Sequence, residues 1–172
     1  MPNNLIIKKK IKNFNKKIEV DGDKSLSIRW ILFSSLASAK STAQNLLLSE
    51  DVMAAINAIR KLGIKVIIKN KTCIVYGKGV DGYRYKKNLT INAQNSGTLG
   101  RLILGLLIHS KIRIKIKGDK SLSRRDFSRV IIPLKNFGAN FKSDKGKLPI
   151  DIFGTNYPNP IKYHEKKGSA QC

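Results

Sequence analysis

The feature that most constrains the fold is an internal repeat: one order of helix-like and strand-like segments occurs twice along the 172-residue chain. Each copy is predicted to contain a helix, a strand, a second helix and then two strands. The stretch KLGIKV in the first copy matches NFGANF in the second, and Arg29 matches Arg101. Stacked copies of a unit can bury a shared core that a single copy could not. The sequence therefore predicts a domain of repeated α/β units.

The first copy begins with an apolar helix that follows a polar entrance. Its apolar residues, from Ser27 onward, predict a helix buried on most sides. A strand is predicted over Ser41–Leu48, and a second helix is predicted to be capped by Asp51 and to end at Leu62. The segments IKVIIK and TCIVYG then predict a strand pair around the polar turn Asn70-Lys71.

The second copy repeats this order with its own residues. Its predicted elements are the helix NSGTLGRLILGLLIHS, the strand KIRIKIK, the helix RRDFSRVIIPLKNFG and the strands ANFKS and LPIDIFG. Pro133 should bend the second of these helices, because proline removes a backbone hydrogen bond. After this copy, Gly168–Gln171 reads as the entrance to a third helix, so we expect the chain to be part of a longer protein.

Three helix entrances share a composition suited to anions: GDKSLSIR, NSGTLGR and GSAQ. The first turn of a helix presents unpaired N–H groups and the positive end of the helix dipole. Glycine lets a ligand approach the backbone, and Lys or Arg neutralises its charge. Another cluster, GDKSLSRRDF, adds Arg124 and Arg125, of which we expect only one to face a common pocket. The repeated positions predict a composite anion-binding site.

The charge of the chain also favours anionic partners, since 34 Lys and Arg residues outnumber 11 Asp and Glu residues for a net charge of +23. Only 7% of the residues are aromatic and the cations are dispersed, which favours small anions over nucleic acid. A non-catalytic basic module that binds anions or nucleic acid remains the alternative. Cys73 and Cys172 form no disulfide framework or metal motif, and no apolar run reaches membrane-spanning length. We expect a cytoplasmic protein without a membrane partner.

Several ordered motifs make the chain resemble the EPSP synthase (3-phosphoshikimate 1-carboxyvinyltransferase) family. They are DGDKSLSIR, LLLSEDV, NSGTLGRL, GDKSLSRRDFSRVIIPL, LPIDIFG and GSAQ. The related transferases that act on UDP-N-acetylglucosamine fit less well, because GDKS and SLSRRDF favour the shikimate branch.

The resemblance implies an α/β fold: an enolpyruvyl-transferase-type domain of repeated βαβαββ units, normally half of a two-domain protein. Residues 1–20 would be a strand segment that packs with the other, mostly missing domain, and 21–172 an incomplete domain. Within it, repeat 1 would cover about 21–90, repeat 2 about 91–157, and the start of repeat 3 158–172.

The family transfers the enolpyruvyl group of phosphoenolpyruvate to the 5-hydroxyl of shikimate 3-phosphate and releases phosphate, without a metal or other cofactor. By resemblance, Lys24 would be catalytic and would touch both substrates, and shikimate 3-phosphate would also contact Ser25 and Arg29. Gly97 and Arg125 would bind phosphoenolpyruvate. The remaining implied contacts are Ser169 and Ala170 to shikimate 3-phosphate and Gln171 to both substrates. The full-length protein would be a monomer.

The sequence departs from the family pattern at two of its motifs. Asp126 stands where the family usually has proline, which places a carboxylate beside Arg125, and Ile28 replaces a polar residue. The family's acid-base carboxylates would lie outside these 172 residues. We therefore expect this chain to be a fragment without turnover of its own.

Overall fold

The computed structural model describes residues 6, 8, 15, 17–165 and 168 of the chain. The helices are α1 (Lys24–Leu36), α2 (Glu50–Lys61), α3 (Gly97–Leu106) and α4 (Ser128–Asn136), with a short 3-10 turn at Leu122–Arg124. The strands are β1 (Lys40–Gln44), β2 (Lys65–Lys69), β3 (Thr72–Tyr76), β4 (Thr90–Asn92), β5 (Ile114–Lys117), β6 (Asn140–Asp144) and β7 (Lys147–Phe153). The predicted mixed α/β class is confirmed.

The strands form two sheets, one for each copy of the repeated unit. The first sheet has the order β1-β3-β2 and the second has the order β4-β5-β7-β6. In both sheets the last strand of the copy lies in the centre and pairs antiparallel with its two neighbours. Strand β4 adds a parallel partner to β5. The described part of the second copy therefore has the complete order βαβαββ.

A single continuous hydrophobic core joins the helices to the inner faces of both sheets. Strand β5 shows how the sequence creates these faces: Ile114 and Ile116 are buried, whereas Lys115 and Lys117 are exposed. Side chains alternate between the two faces of a strand, so one face joins the core and the other carries charge. Outward lysines also begin and end β2, at Lys65 and Lys69.

Helix α1 begins earlier, and β1 ends earlier, than the residue pattern predicted. Asp23 caps α1, because its Oδ1 accepts a hydrogen bond from the Leu26 N–H at 2.7 Å. The strand predicted over Ser41–Leu48 ends at Gln44, since Asn45 has a φ of 56° and turns the backbone out of the ladder. Helix α1 is also less enclosed than predicted, with Phe33 61% exposed.

The prediction that Asp51 caps the second helix is wrong. Ser49 is the N-cap residue, and Asp51 lies in the first turn of α2, where a carboxylate is favoured by the helix dipole. The helix ends at Lys61, and Leu62 is its C-cap residue. The N-cap thus lies two residues before the predicted position. Asp51 is free to contact a residue on α1 instead.

The predicted helix RRDFSRVIIPLKNFG is interrupted near its start. Leu122–Arg124 forms the 3-10 turn, Arg125 is extended with φ −76° and ψ 148°, and α4 begins only at Ser128. Helix α4 continues through Pro133 and ends before Gly138, which has a φ of 107°. The extended residue turns the chain between the two helical segments.

The strand segment predicted for 1–20 falls largely outside the described residues, as do Ser169, Ala170 and Gln171. Within the described ranges, no helix combines the length and the apolar character needed to cross a membrane.

Candidate anion-binding site

The parallel strands β4 and β5 bring two predicted site residues to one edge of the second sheet. Asn92 pairs with Lys117 at the ends of these strands. The loops that follow are joined by hydrogen bonds, because the Ala93 N–H donates to the Lys117 carbonyl and the Asp119 N–H donates to the Gln94 carbonyl, each at 2.8 Å. One loop leads to α3 and the other leads to the 3-10 turn.

Gly97, the first residue of α3, lies against two guanidinium groups. A Cβ atom at this position would lie 2.9 Å from Nη1 of Arg101 and 3.2 Å from Nη1 of Arg125. Gly97 also lies at the positive end of the α3 dipole, in a turn whose Leu99 N–H is capped by Ser96 Oγ at 3.3 Å. Two planar cations and a helix N-terminus therefore meet at one point, which is an arrangement that binds carboxylate or phosphate. Arg124 and Arg125 are both exposed, but of the two only Arg125 is among the nearest neighbours of this position.

Arg101 is held in place by contacts on both sides of its guanidinium group. Its Nη2 donates to the Asp126 carbonyl at 3.0 Å, and its Nη1 lies 3.4 Å from the Gly97 carbonyl. The guanidinium carbon lies 4.7 Å from the ring centre of Phe127, which is fully buried. Arg101 was matched to Arg29 by the repeat but was not predicted as a site residue. The repeated position was the signal for it.

Asp126 uses its carboxylate to begin helix α4. Its Oδ1 accepts a hydrogen bond from the Ser128 N–H at 2.8 Å. Hydrogen bonds from the side chain and the backbone of Ser128 lower the pKa of Asp126, and the nearby charge of Arg101 acts in the same direction. The carboxylate that replaces the family's proline therefore stabilises the bend after Arg125. The extended backbone of Arg125 is also the conformation that a residue before proline adopts.

The entrance of α1 carries three other predicted site residues, Lys24, Ser25 and Arg29. Ser25 and Arg29 are four positions apart, so they share one face of the helix, and both are half-buried. Lys24 is 52% exposed, and its Nζ lies 3.0 Å from Oδ2 of Asp51 in the first turn of α2. This ion pair holds a cation at the mouth of α1 without removing it from solvent.

Loop contacts at the α1 entrance resemble those found beside Gly97. The Asn45 side chain donates to the Val20 carbonyl at 3.0 Å, and the Leu47 N–H donates to Ser27 Oγ at 3.2 Å. Gly22 packs closely against the Asn45 carbonyl, where a Cβ atom would clash. The segment before α1 is thus fixed by the loop that follows β1, as the segment before α3 is fixed by the loop that follows β5.

The structure places the predicted residues in two clusters on packed helices. Gly97 and Arg125 meet directly with Arg101, while Lys24 meets Asp51, and helices α1 and α3 pack against each other. In the part of the chain that the structure describes, no group of three or more His, Cys, Asp and Glu side chains could hold a metal ion. The chemistry present is that of cations and backbone donors, which can bind and orient anionic groups.

Comparisons with known proteins identify the family of the chain. The sequence model of the EPSP synthase (3-phosphoshikimate 1-carboxyvinyltransferase) family matches residues 8–172. Two curated relatives carry the name 3-phosphoshikimate 1-carboxyvinyltransferase. The one from Endomicrobium trichonymphae is 39% identical over 155 residues, which are 90% of this chain and 36% of that protein. The one from a Sulfurihydrogenibium species is 38% identical over 165 residues, which are 95% of this chain and 38% of that protein.

Solved structures give the same result for the fold. EPSP synthase from Acinetobacter baumannii superimposes with a TM-score of 0.83 at 33% identity, covering 91% of this chain and 36% of that one. The chain thus spans little more than a third of the length of the relatives it matches. The family match over 8–172, the shared fold and the cationic helix entrances together show that this chain belongs to the EPSP synthase family of enolpyruvyl transferases.

Proposed function

We propose that this chain supplies part of the site that transfers the enolpyruvyl group of phosphoenolpyruvate to the 5-hydroxyl of shikimate 3-phosphate. The observation that carries the proposal is the meeting of Gly97 with the guanidinium groups of Arg101 and Arg125 at the first turn of α3. A carboxylate or phosphate there can accept backbone and guanidinium hydrogen bonds together. This cluster holds phosphoenolpyruvate, mainly through Gly97 and Arg125.

The α1 entrance holds shikimate 3-phosphate. Ser25 donates a hydroxyl hydrogen bond and Arg29 neutralises charge from the same helix face. Ser169 and Ala170 add contacts to this substrate, and Gln171 reaches both ligands. These three assignments rest on the family motif GSAQ.

Lys24 is the catalytic residue of this chain. In the reaction the 5-hydroxyl of shikimate 3-phosphate adds across the double bond of phosphoenolpyruvate: its oxygen bonds to the carbon that carries the phosphate, and a proton is added to the methylene carbon. The bond to phosphate then breaks, and the resulting methyl group loses a proton, which restores the double bond. An ammonium group placed beside the reacting carbon stabilises the charge that develops on its substituents. The contact with Asp51 at 3.0 Å orients Lys24 before the substrates arrive.

The first test is a titration of the 172-residue chain with shikimate 3-phosphate. Trp30, the single tryptophan, is half-buried next to Arg29 on α1, so its fluorescence reports binding there. Lys24→Ala and Arg29→Ala should each raise the Kd about tenfold or more, since a hydrogen bond to a charged group contributes about 1.5–3 kcal/mol. Lys40→Ala removes the same charge beyond the other end of α1 and should leave the Kd unchanged. Equal binding by the parent and both site variants would contradict the assignment.

Phosphoenolpyruvate binding tests the second cluster separately. Arg125→Ala should weaken binding of phosphoenolpyruvate in the presence of shikimate 3-phosphate, while Arg124→Ala, which removes the same charge from the adjacent residue, should have little effect. Gly97→Ala should also weaken binding, because its Cβ would displace the two guanidinium groups. The result that opposes this assignment is stronger loss in Arg124→Ala than in Arg125→Ala.

We further propose that these 172 residues bind substrates without turning them over, and that the whole protein works in the cytoplasm as a monomer without nucleic acid, membrane or cofactor. The span of little more than a third of the relatives supports the first part. Mixing both substrates with this chain should release no phosphate, and light scattering of the whole protein should give one chain. Binding to a DNA duplex that weakens steeply with salt, with no preference among small phosphates, would favour the nucleic-acid alternative.

A further inference from the structure

We propose that a cleft at the far end of α3 is a second binding site, for a phosphomonoester carried on an aromatic or other apolar body. The cavity has a volume of about 730 Å³ and lies where α3 ends, at Leu106 and Leu107. Its volume is within the range of about 300–1,000 Å³ that is typical of small-molecule sites. Gly97 begins the same ten-residue helix, about 14 Å away along its axis at 1.5 Å per residue. The cleft is therefore separate from the anion-binding site.

One wall of the cleft is the loop between β3 and β4, and it is fixed to the domain at several points. The Arg84 N–H donates to the Leu62 carbonyl at 2.9 Å. The hydroxyl groups of Tyr83 and Ser35 are hydrogen-bonded at 2.7 Å. These contacts attach the loop to the ends of α2 and α1, so the wall exists before a ligand binds.

The opposite wall is equally well attached. Tyr85 bridges to it through a hydrogen bond of 2.8 Å between its hydroxyl and Ser110 Oγ. The Gly154 N–H donates to the Ser110 carbonyl at 3.0 Å, and the Thr155 N–H donates to the Ile108 carbonyl at 2.6 Å. A cleft whose walls are already ordered requires little reorganisation on binding, which favours affinity for a small ligand.

Three basic side chains line this cleft: Arg84, His109 and Lys111. None of them forms an ion pair with a carboxylate within the described ranges. Arg84 donates through Nη1 to the carbonyls of Asp81 and Tyr83, each at 2.9 Å, which fixes the guanidinium group. Asp81 is the one carboxylate in the lining. An excess of positive charge around a fixed guanidinium group matches a phosphate dianion, which accepts several charge-assisted hydrogen bonds.

The remaining lining suits an apolar body attached to that phosphate. Tyr83 and Tyr85 line the cleft together with Leu106 and Ile112. Both tyrosine hydroxyls are already bonded to serines, and burial raises the pKa of Tyr83 although its hydrogen bond with Ser35 opposes the shift, so the phenol stays neutral. The rings therefore offer contact area while the cations offer charge. Nothing in the proposed transfer reaction uses this surface.

The experiment is an NMR titration of the 172-residue chain with phenyl phosphate, followed by backbone amide shifts. Saturable shifts are expected at Tyr85 and Lys111. The variant Arg84→Gln/Lys111→Gln should raise the Kd at these amides at least tenfold. Both side chains are exposed, so the fold should be retained. The control Lys142→Gln/Lys147→Gln removes two exposed cations from β6 and β7 and should leave the Kd unchanged.

Two further ligands test which chemical class of ligand the cleft binds. Variants of the anion-binding site test whether the cleft binds its ligand independently of that site. Phenol and inorganic phosphate should each bind at least tenfold more weakly than phenyl phosphate. If phenol bound as tightly as phenyl phosphate, the cleft would not be a site for an anion. If inorganic phosphate bound as tightly as phenyl phosphate, the cleft would not need an apolar body on its ligand. Shifts confined to the surroundings of Gly97 would overturn the site itself. Lys24→Ala and Arg125→Ala should keep the cleft shifts, so a failure of the proposed function would leave this result intact.

Discussion

The two copies of the repeated unit have the same strand order but different chemistry at the start of their helices. In each, the last strand is central and antiparallel to its neighbours, giving β1-β3-β2 and β5-β7-β6. At the first copy's entrance a lysine pairs with a carboxylate on α2, whereas at the second a glycine lies against two guanidinium groups. Hydrogen bonds between the strands and packing in the core keep the backbone arrangement the same in both copies. Entrance side chains contribute little to that core, so they can differ between the copies.

The largest expected effect comes from removing the aromatic support of the second entrance. Phe127 is fully buried, and its ring lies 3.2 Å from the position of a Cβ on Gly100 and 4.7 Å from the Arg101 guanidinium carbon. Phe127→Ala should lower the free energy of unfolding by about 3–5 kcal/mol, measured by urea denaturation. Phe153→Ala, at a 44% exposed position on β7, should lower it by less than about 1 kcal/mol. Similar losses in the two variants would show that Phe127 has no special role.

The matched glycines that follow α2 and α4 should respond unequally to alanine. Gly63 has a φ of 84° and Gly138 a φ of 107°, so an alanine at either position costs about 1–3 kcal/mol in backbone strain. At Gly63 the Cβ would also press on the Arg84 carbonyl, whereas at Gly138 its nearest neighbour is Thr155 at 3.4 Å. Overpacking should therefore destabilise Gly63→Ala by about 1–3 kcal/mol more, measured by thermal and urea unfolding. A larger loss in Gly138→Ala would reverse this ranking.

The start of the second helix should also differ between the copies. The Asp126 carboxylate accepts a hydrogen bond from Ser128, the first residue of α4, whereas Ser49 Oγ, at the start of α2, is buried and has no hydrogen-bond partner within the described ranges. Asp126→Ala should lower the free energy of unfolding by about 0.5–1 kcal/mol, and Ser49→Ala should leave it unchanged or raise it slightly, both measured by urea denaturation.

The effect of Asp126 should depend on pH. Its pKa is lower in the folded chain than the ordinary value of about 3.9 in the unfolded chain. The carboxylate therefore stabilises the fold fully above about pH 5, and this contribution is lost as the pH falls through the folded pKa. The difference between the parent and Asp126→Ala should shrink in acid. A difference that stayed constant from pH 7 to pH 2 would show that the charge of this carboxylate is irrelevant.

The smallest expected effect is on the ion pairs made by the first turns of α2 and α4. Asp51 pairs with Lys24 at 3.0 Å, and Arg129 pairs with Glu165 at 3.3 Å. Because each pair has a partner exposed by more than 40%, Asp51→Asn and Arg129→Gln should each change the free energy of unfolding by less than about 1 kcal/mol. Urea denaturation at low and high salt checks this, since the difference should shrink as salt screens the pairs. A loss above 2 kcal/mol in either variant would mean that the pair supports the fold.

Much of this fold follows from the sequence because the repeat and the hydrophobic patterns agree. The strand pair β2 and β3 surrounds the predicted turn, where Asn70 has a φ of 53°. Strand β4 was not predicted from the residues, since three residues are too few to show a period of two. The break at Arg125 was also missed. It is fixed by two local hydrogen bonds, to the Asp119 and Asp126 carboxylates, and by one tertiary contact, from the Phe127 N–H to the Gly146 carbonyl.

The candidate site was predictable to a smaller extent. Motifs pointed to Lys24, Gly97 and Arg125, and helix-start chemistry explains why such residues suit anions. Arg101 and Asp51 were not predicted because their contacts, with Asp126 and Lys24, join elements that are distant in sequence. A helical pattern shows which side chains face the core, but it does not show which charged side chains from two helices will meet.

The outward lysines of the sheets have a consequence for the speed of binding. Lys65 and Lys69 on β2, and Lys115, Lys117 and Lys147 on the second sheet, are all exposed. Their long-range field attracts any anion but contacts none closely, so it accelerates diffusional encounter without choosing a ligand. The entrance groups act at short range, where salt screens them less. For the proposed ligand, shikimate 3-phosphate, raising the ionic strength should therefore slow association more than it hastens dissociation, which stopped-flow fluorescence of Trp30 can resolve.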